Sequence, residues 1–299
     1  RAARAVPERL QRTRMTNDAP ACVSELFCGN QPLSFEIFPP RGDLTEVEAR
    51  RVAGELAELD PAFISVTYSA GGSGNSGATT KVASLIQNEL GVPSVAHLTC
   101  QGLTRDMLEE KIAEMRAAGI KNVLALRGDP RPDAPQGDFA YAADVIPVLR
   151  EAGFCVGAAA YPEGHVTCTS LEDDIAHLRE KQDAGAQFLV TQLFFDNEDF
   201  FRFRDLAARA GITAPITCGI MPFMSKNQVS RMIFMCGASL PSPIIRLLNR
   251  YEGDDEALRR AGIEYAAAQL RGLRDAGADG LHVYTMNKPA VARAICECL

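Results

Sequence analysis

The chain has 299 residues, 46% of them hydrophobic, with 38 acidic against 31 basic side chains and a net charge of −7. That is enough apolar material for a sizeable core, and the acidic balance argues against nucleic acid or an anionic membrane surface as partner. No apolar run approaches the roughly 18 residues that a membrane-spanning helix needs.

Residues 1–20 hold Arg1, Arg4, Arg9, Arg12 and Arg14 ahead of Met15, with no apolar stretch to make a secretory signal. They are expected to be a disordered tail or an upstream extension with translation starting at Met15. The arginine content also suits a transit peptide. Residues 21–299 read as one domain, opening on a short helix over Ala21–Cys28.

Eight short apolar runs follow, each with functional side chains in it or just after it. The first, Leu33–Phe38, carries Glu36. A carboxylate in an apolar strand must face a lumen or find a partner, because burying it alone is costly. Apolar walls would raise its pKa and suit it to general-acid work, while a salt bridge, with Arg127 for instance, is the equally weighted alternative. The second run is Ala62–Thr67. After it, Gly72-Ser73-Gly74-Asn75-Ser76-Gly77 matches the dinucleotide fingerprint G-x-G-x-x-G. The preceding Thr67–Gly71 is already loop, and no acidic residue closes the next strand, so a loop over the mouth of a barrel is the better reading.

The third run, Ser94–Cys100, holds His97 and Thr99, and the fourth, Asn122–Leu126, leads into Arg127-Gly128-Asp129. Gly128 would let a ligand approach the backbone closely; a turn with a surface ion pair is the plain alternative. The fifth, Phe154–Tyr161, runs into Pro162-Glu163-Gly164-His165. Phe188–Gln192 ends on an amide suited to the edge of a heteroaromatic ring. Ile216–Ile220 and Gly280–Tyr284 complete the set. His97, His165 and His282 lie on or after strands without zinc-ligand spacing, so no metal is expected and they read as hydrogen-bond donors to a polar or anionic ligand.

Helical periodicity fills the gaps over Leu44–Leu59, Thr79–Leu90, Thr104–Ala118, Tyr141–Ala152, Leu171–Ala184, Asn197–Ala210, Ser225–Cys236 and Lys288–Cys298. Gly91, Gly119, Gly153, Gly185 and Gly211 sit where C-terminal caps belong, and Thr104 and Ser170 where N-caps belong. Eight β-then-α units with reactive groups at the strand ends predict a (β/α)8 TIM barrel with its site at the C-terminal mouth. The last gap is long: about 60 residues separate strands seven and eight, against ~30 for a simple unit. Pro241–Tyr251 and Asp254–Asp275 read as the extra helices there. Of the nine cysteines, Cys100, Cys155 and Cys218 lie in strand runs and are expected to be free thiols acting as small hydrophobes. Without a Cys-x-x-Cys, a zinc or iron–sulfur site fits poorly and a reducing cytoplasm fits best.

Taken in order, Ser34–Arg41, Ser65–Tyr68, Ala96–Cys100, Leu126–Asp129, Ala159–His165, Thr191–Asp196, Gly219–Pro222 and Tyr284–Asn287 form a recognisable series. With it the chain resembles the bacterial methylenetetrahydrofolate reductases from about Leu33 to Leu299. The resemblance implies a flavoprotein oxidoreductase that reduces 5,10-methylenetetrahydrofolate to 5-methyltetrahydrofolate with NADH or NADPH, by a ping-pong route, for methionine synthesis in the cytoplasm. It implies FAD at the mouth, with FMN the lesser alternative. Glu36 takes the role of general acid, and Asp129 stands between flavin and folate. Thr67, Tyr68, Ala70, His97, Arg127, Gly128, Asp129, Tyr141, Ala142, Tyr161, His165, Asp174 and Lys181 become cofactor ligands. Gln192, Asp129, Tyr284 and Lys288 become substrate ligands.

Three positions depart from the family pattern: Lys226 where an aromatic usually stacks on nucleotide and folate, His177 for an asparagine, and Lys288 for an arginine. Phe223 lies near enough in sequence to fill the gap left at Lys226. A homo-oligomer is one further expectation. Another is a subunit fed by a partner electron carrier. A non-catalytic folate- or flavin-binding module and a flavin-free barrel lyase are the competing classes.

Overall fold

The structure is a computed structural model that describes residues 22–39, 46–68, 76–129 and 137–299. Residues 1–20, Ala70 and most of the glycine-rich loop lie outside the described residues, and so do the readings made on them. Eight parallel strands close into a barrel in sequence order: β1 (Leu33–Ile37), β2 (Phe63–Val66), β3 (Ser94–Thr99), β4 (Asn122–Leu126), β5 (Cys155–Ala160), β6 (Phe188–Thr191), β7 (Ile216–Ile220) and β8 (Gly280–Tyr284). The helices are α1 (Glu46–Ala57), α2 (Ser76–Ser84), α3 (Arg105–Ala117), α4 (Ala142–Glu151), α5 (Leu171–Asp183), α6 (Asn197–Arg209), α7 (Lys226–Cys236), α8 (Ser242–Arg250), α9 (Asp255–Asp275) and α10 (Pro289–Cys298).

The local signals act as chemistry requires. Thr104 and Ser170 accept from the backbone N–H groups of Met107 and Asp173, capping α3 and α5. Gly153 and Gly185, past α4 and α5, take φ of +92° and +115°, a region closed to most side chains.

The barrel interior is layered. At its N-terminal end Phe63, Val95, Leu124, Cys155 and Phe188 form an apolar layer, plugged from below by Val23 and Phe27 of a 3-10 turn, Val23–Phe27. A Cβ on Gly157 would fall on the Phe188 ring, and one on Gly280 would come within 2.7 Å of Phe27, so bare backbone here makes room for rings. Val23 N donates to Asn122 Oδ1 at 2.8 Å, pinning the plug to β4. Cys22 is joined by a disulfide to Cys155, 133 positions away. This corrects the expectation that Cys155 is a free thiol: the N-terminal turn folds back under the barrel and brings a second cysteine to it, which no local spacing reveals. The other seven cysteines are free.

The β7–β8 connection holds extra helices, but not the two expected. It is α9 that packs on β7, β8, α6 and α10, in the place of the regular barrel helix. α7 and α8 are the additions. Val229, Met232 and Ile244 from them gather Leu193, Phe195, Met221 and Phe223 into a second core. No helix among the described residues is long and apolar enough to cross a membrane.

Candidate active site

The C-terminal half of the lumen is polar, and strand register explains how. Glu36 is opposite Ser65 on β2 and Tyr284 on β8, while Ser34, two residues earlier on the same face, is opposite His282. Glu36 Oε2 consequently has Ser65 Oγ at 3.4 Å and the Nε2 atoms of His97 and His282 each at 3.6 Å. Arg127 is not its partner. The apolar setting expected for Glu36 is also corrected. Burial pushes its carboxyl up, but the His282 contact, the charges of His97 and His282, and Ser65 outweigh burial and hold it below the usual carboxylate range. Burial pushes His97 down, with Glu36 opposing.

His282, read in the sequence as a hydrogen-bond donor to a ligand, instead faces Glu36 inside the lumen; the available signal for that was its alternation with Tyr284 on the last strand. Its tautomer follows from its neighbours. Ser34 Oγ donates its one proton to Leu281 O at 3.0 Å and therefore accepts from His282 Nδ1–H at 2.7 Å. The other ring nitrogen, Nε2, then faces Ser65 Oγ at 3.3 Å and Glu36 Oε2 at 3.6 Å. The residues after β8 secure this arrangement. Thr285 Oγ1 donates to Glu36 O at 2.7 Å, and Asn287 clamps both backbone groups of Phe38 at 2.9 Å. Met286 and Asn287 take left-handed φ of 52° and 54° to do so.

A second group gathers at the ends of β4 and β5. Lys181 Nζ donates to Ala159 O at 3.0 Å and lies 5.4 Å over the Tyr161 ring, whose edge contact with His165 is 4.8 Å. Thr167 N donates to His165 Nδ1 at 3.2 Å, which leaves His165 Nε2 as the protonated nitrogen. Burial raises Asp174 above its ordinary value despite Lys181, and the Tyr161 hydroxyl is pushed up to about 12 by burial. Burial lowers Lys181, with Asp174 opposing and the Arg127 charge adding to the lowering. The Arg127 charge acting on Lys181 makes this group suit an anionic ligand, and Gly128, at φ +88°, lets backbone come close to it. The donor set fits a flat, phosphate-bearing cofactor.

The remaining predicted residues are placed around these groups. Thr67 O accepts from Thr79 Oγ1 at 3.0 Å, and Tyr68 has Lys111 Nζ 5.5 Å over its ring. Asp129 and Tyr141 are exposed at the mouth, and Ala142 is buried as the first residue of α4. Gln192 Oε1 accepts from Leu193 N at 2.9 Å, which fixes the amide at the end of β6. Tyr284 Oη donates to Thr191 O, so this ring lines the floor with its hydroxyl committed; a Cβ on Gly219 would collide with it. Lys288 Nζ approaches Met224 Sδ at 3.6 Å. Lys226 is exposed and pairs with Glu252 at 3.2 Å. Phe223 is 1% exposed, inside the second core, so it does not fill the place of a stacking aromatic.

A closed (β/α)8 barrel with an acid–histidine cluster in the upper lumen and a cationic, ring-lined group beside it has the build of a barrel enzyme. Among solved structures it is similar to an uncharacterized protein from Clostridium thermocellum that binds two copies of 5-methyl-5,6,7,8-tetrahydrofolic acid, at TM-score 0.66 and 14% identity over 92% of this chain and 96% of that one. At that identity the likeness shows the fold. The family profile of methylenetetrahydrofolate reductase matches residues 24–299. The 5,10-methylenetetrahydrofolate reductase of Salmonella typhimurium is 36% identical over 272 residues, 91% of each chain. That of Escherichia coli is 34% identical over the same length and shares. The Arabidopsis thaliana methylenetetrahydrofolate reductase (NADH) 1 is 33% identical over 276 residues, with this chain spanning 46% of it. The chain belongs to the methylenetetrahydrofolate reductase family.

Proposed function

We propose that residues 21–299 form one catalytic unit that reduces 5,10-methylenetetrahydrofolate to 5-methyltetrahydrofolate with NADH or NADPH by a ping-pong route, in the cytoplasm. The single observation that carries this reading is the position of Glu36: a carboxyl in the upper lumen, bracketed by the Nε2 atoms of His97 and His282 at 3.6 Å each.

A flavin, FAD before FMN, is the cofactor in this reading, and when bound it supplies the hydride-carrying chemistry that no side chain possesses. Arg127, Lys181, His165, Tyr161, Asp174 and the backbone at Gly128 would hold it, with Thr67, Tyr68, His97, Asp129, Tyr141 and Ala142 completing its surroundings. Gln192 offers its amide to the ring edge of the folate, with Asp129, Tyr284 and Lys288 beside it.

Glu36 donates the proton that the folate amine needs as its ring opens. Glu36 rests below the usual carboxylate range, so it cannot hold that proton alone at neutral pH. Exchange with His282, which Ser34 orients 3.6 Å from Glu36 Oε2, supplies it. Water exclusion by a bound substrate strengthens the same exchange.

The test has two parts. Denatured protein should release one flavin per chain; a correctly folded protein that neither carries nor accepts flavin would falsify the reading. Glu36→Gln should keep flavin bound and bleachable by NADH while folate turnover falls on the order of 10²–10⁴-fold. A loss below about tenfold makes Glu36 scaffold. Flavin that stays oxidised in anaerobic NADH but is reduced by a protein electron carrier would favour the partner-subunit alternative.

A further inference from the structure

The loop after β5 and the segment after α7 meet across the top of β6, and nothing in the mechanism above uses that contact. Glu163 Oε2 accepts from the backbone N–H of Ser239 at 2.9 Å. Two residues earlier in the same segment, Gly237 caps α7 with a left-handed φ of 69°, and a Cβ there would strike Val166 Cγ1. Val166 is 59% exposed, and it packs against the bare backbone of this glycine. Glu163 Oε1 is shut off from solvent and has no hydrogen-bond partner among the described residues. An unpaired buried carboxylate oxygen costs free energy, and a side chain kept at that cost needs a reason in the fold.

The two partners belong to different halves of the site. Glu163 sits between Tyr161 and His165, on the loop that carries the cationic, ring-lined group, where Gly164 N turns back to Tyr161 O at 3.0 Å. α7 belongs to the second core, with Val229 and Met232 packed among Leu193, Phe195 and Met221 at the ends of β6 and β7. Gln192 lies at the end of β6, between the two.

We propose that Glu163 is a positioning residue for the reductase reaction: it straps the β5–α5 loop to the end of α7 and thereby holds the wall above Gln192 at the height the folate ring requires. The inference rests on the reading of Gln192 as a folate ligand. It assigns Glu163 no proton and no direct substrate contact.

The experiment compares wild type, Glu163→Ala and Glu163→Gln as flavin-loaded protein. Amide hydrogen exchange at Ser239 reads the strap without reference to activity. It should rise roughly tenfold in Glu163→Ala, as expected when a hydrogen bond to a charged group is lost, while the barrel strands keep their protection. Glu163→Gln retains a carbonyl oxygen for the Ser239 N–H and should restore most of that protection. In steady state Glu163→Ala should raise the KM for methylenetetrahydrofolate several-fold with flavin content and NADH bleaching unchanged, and Glu163→Gln should return KM towards wild type. Unchanged Ser239 exchange in Glu163→Ala overturns the strap. Faster exchange with an unchanged KM overturns the positioning role. Loss of flavin assigns Glu163 to the cofactor and overturns it too. A wild-type protein with no folate turnover would remove the functional reading and the substrate half of this one, while exchange at Ser239 still reports on the strap alone.

Discussion

Glu36 and His97 are two buried titratable groups whose surroundings bear on how the protein responds to acid. Both have folded-state pKa values below their ordinary ones. The unfolded chain therefore binds more protons than the folded one below those ordinary values, and stability rises with pH there. For His97 the window lies below 6.5 and for Glu36 below 4.5. Stability should thus begin to fall as pH drops through 6.5, and fall further below 4.5, as each folded pKa is approached. Denaturant midpoints measured from pH 7 to pH 4 check this. His97→Gln should flatten the upper part of that slope, and an unchanged slope would mean that other groups carry it. Lys226 is the other residue with a clear test. Its ion pair with Glu252 is exposed at both ends, and such pairs are worth about 0–1 kcal/mol. Lys226→Phe should leave the melting temperature nearly unchanged. It should also lower the KM for NADH, because ring stacking adds roughly 0.5–1.5 kcal/mol that a cation does not supply. Phe223, buried in the second core, cannot mask that gain.

At the scale of elements, the β7–β8 connection is the part most sensitive to a small change. α9 lies against the β7–α7 loop so closely that a Cβ on Gly262 would overlap Phe223 O. The blocking atom is backbone and cannot swing aside. Gly262→Ala should therefore cost at least the 1–3 kcal/mol typical of overpacking, despite the better helix propensity of alanine. Thermal melts of the purified variant would show it, and a gain in stability would mean that α9 can slide. Sequence periodicity located all three helices of this connection, because each repeats apolar residues at helical steps. Which of them closes the barrel was not legible there, since an amphipathic face does not say what it packs against. Tyr284 shows the same limit within a strand: its place on β8 was readable, but its bond to Thr191 O depends on the bare backbone of Gly219 on the neighbouring β7.

For the whole molecule, the covalent link between Cys22 and Cys155 ties the plug under the barrel to β5. Thiol titration of the denatured, unreduced protein should count seven free cysteines, rising to nine after reduction. A cross-link that closes a long loop typically contributes about 2–4 kcal/mol by restricting the unfolded chain. Reduction should accordingly lower the melting temperature while the mouth, at the opposite end of the barrel, keeps its activity. Nine titratable thiols before reduction would show that the pair is open in solution.

Periodicity and end signals in the chain were sufficient for the number of strands and their order, because hydrogen-bonded helices and strands impose repeats of their own along the sequence. The same local logic put Glu36, Arg127, Tyr161, His165 and Gln192 at strand ends. Only the closed barrel determined which of them meet. Register across β1, β2 and β8 set Ser65 and His282 against Glu36 in place of apolar walls or Arg127, and these polar neighbours hold its pKa down where apolar walls would have raised it. Folding back of the N-terminal turn found Cys155 a partner. Both outcomes depend on distances between residues far apart in the chain, and a one-dimensional pattern carries no such distance.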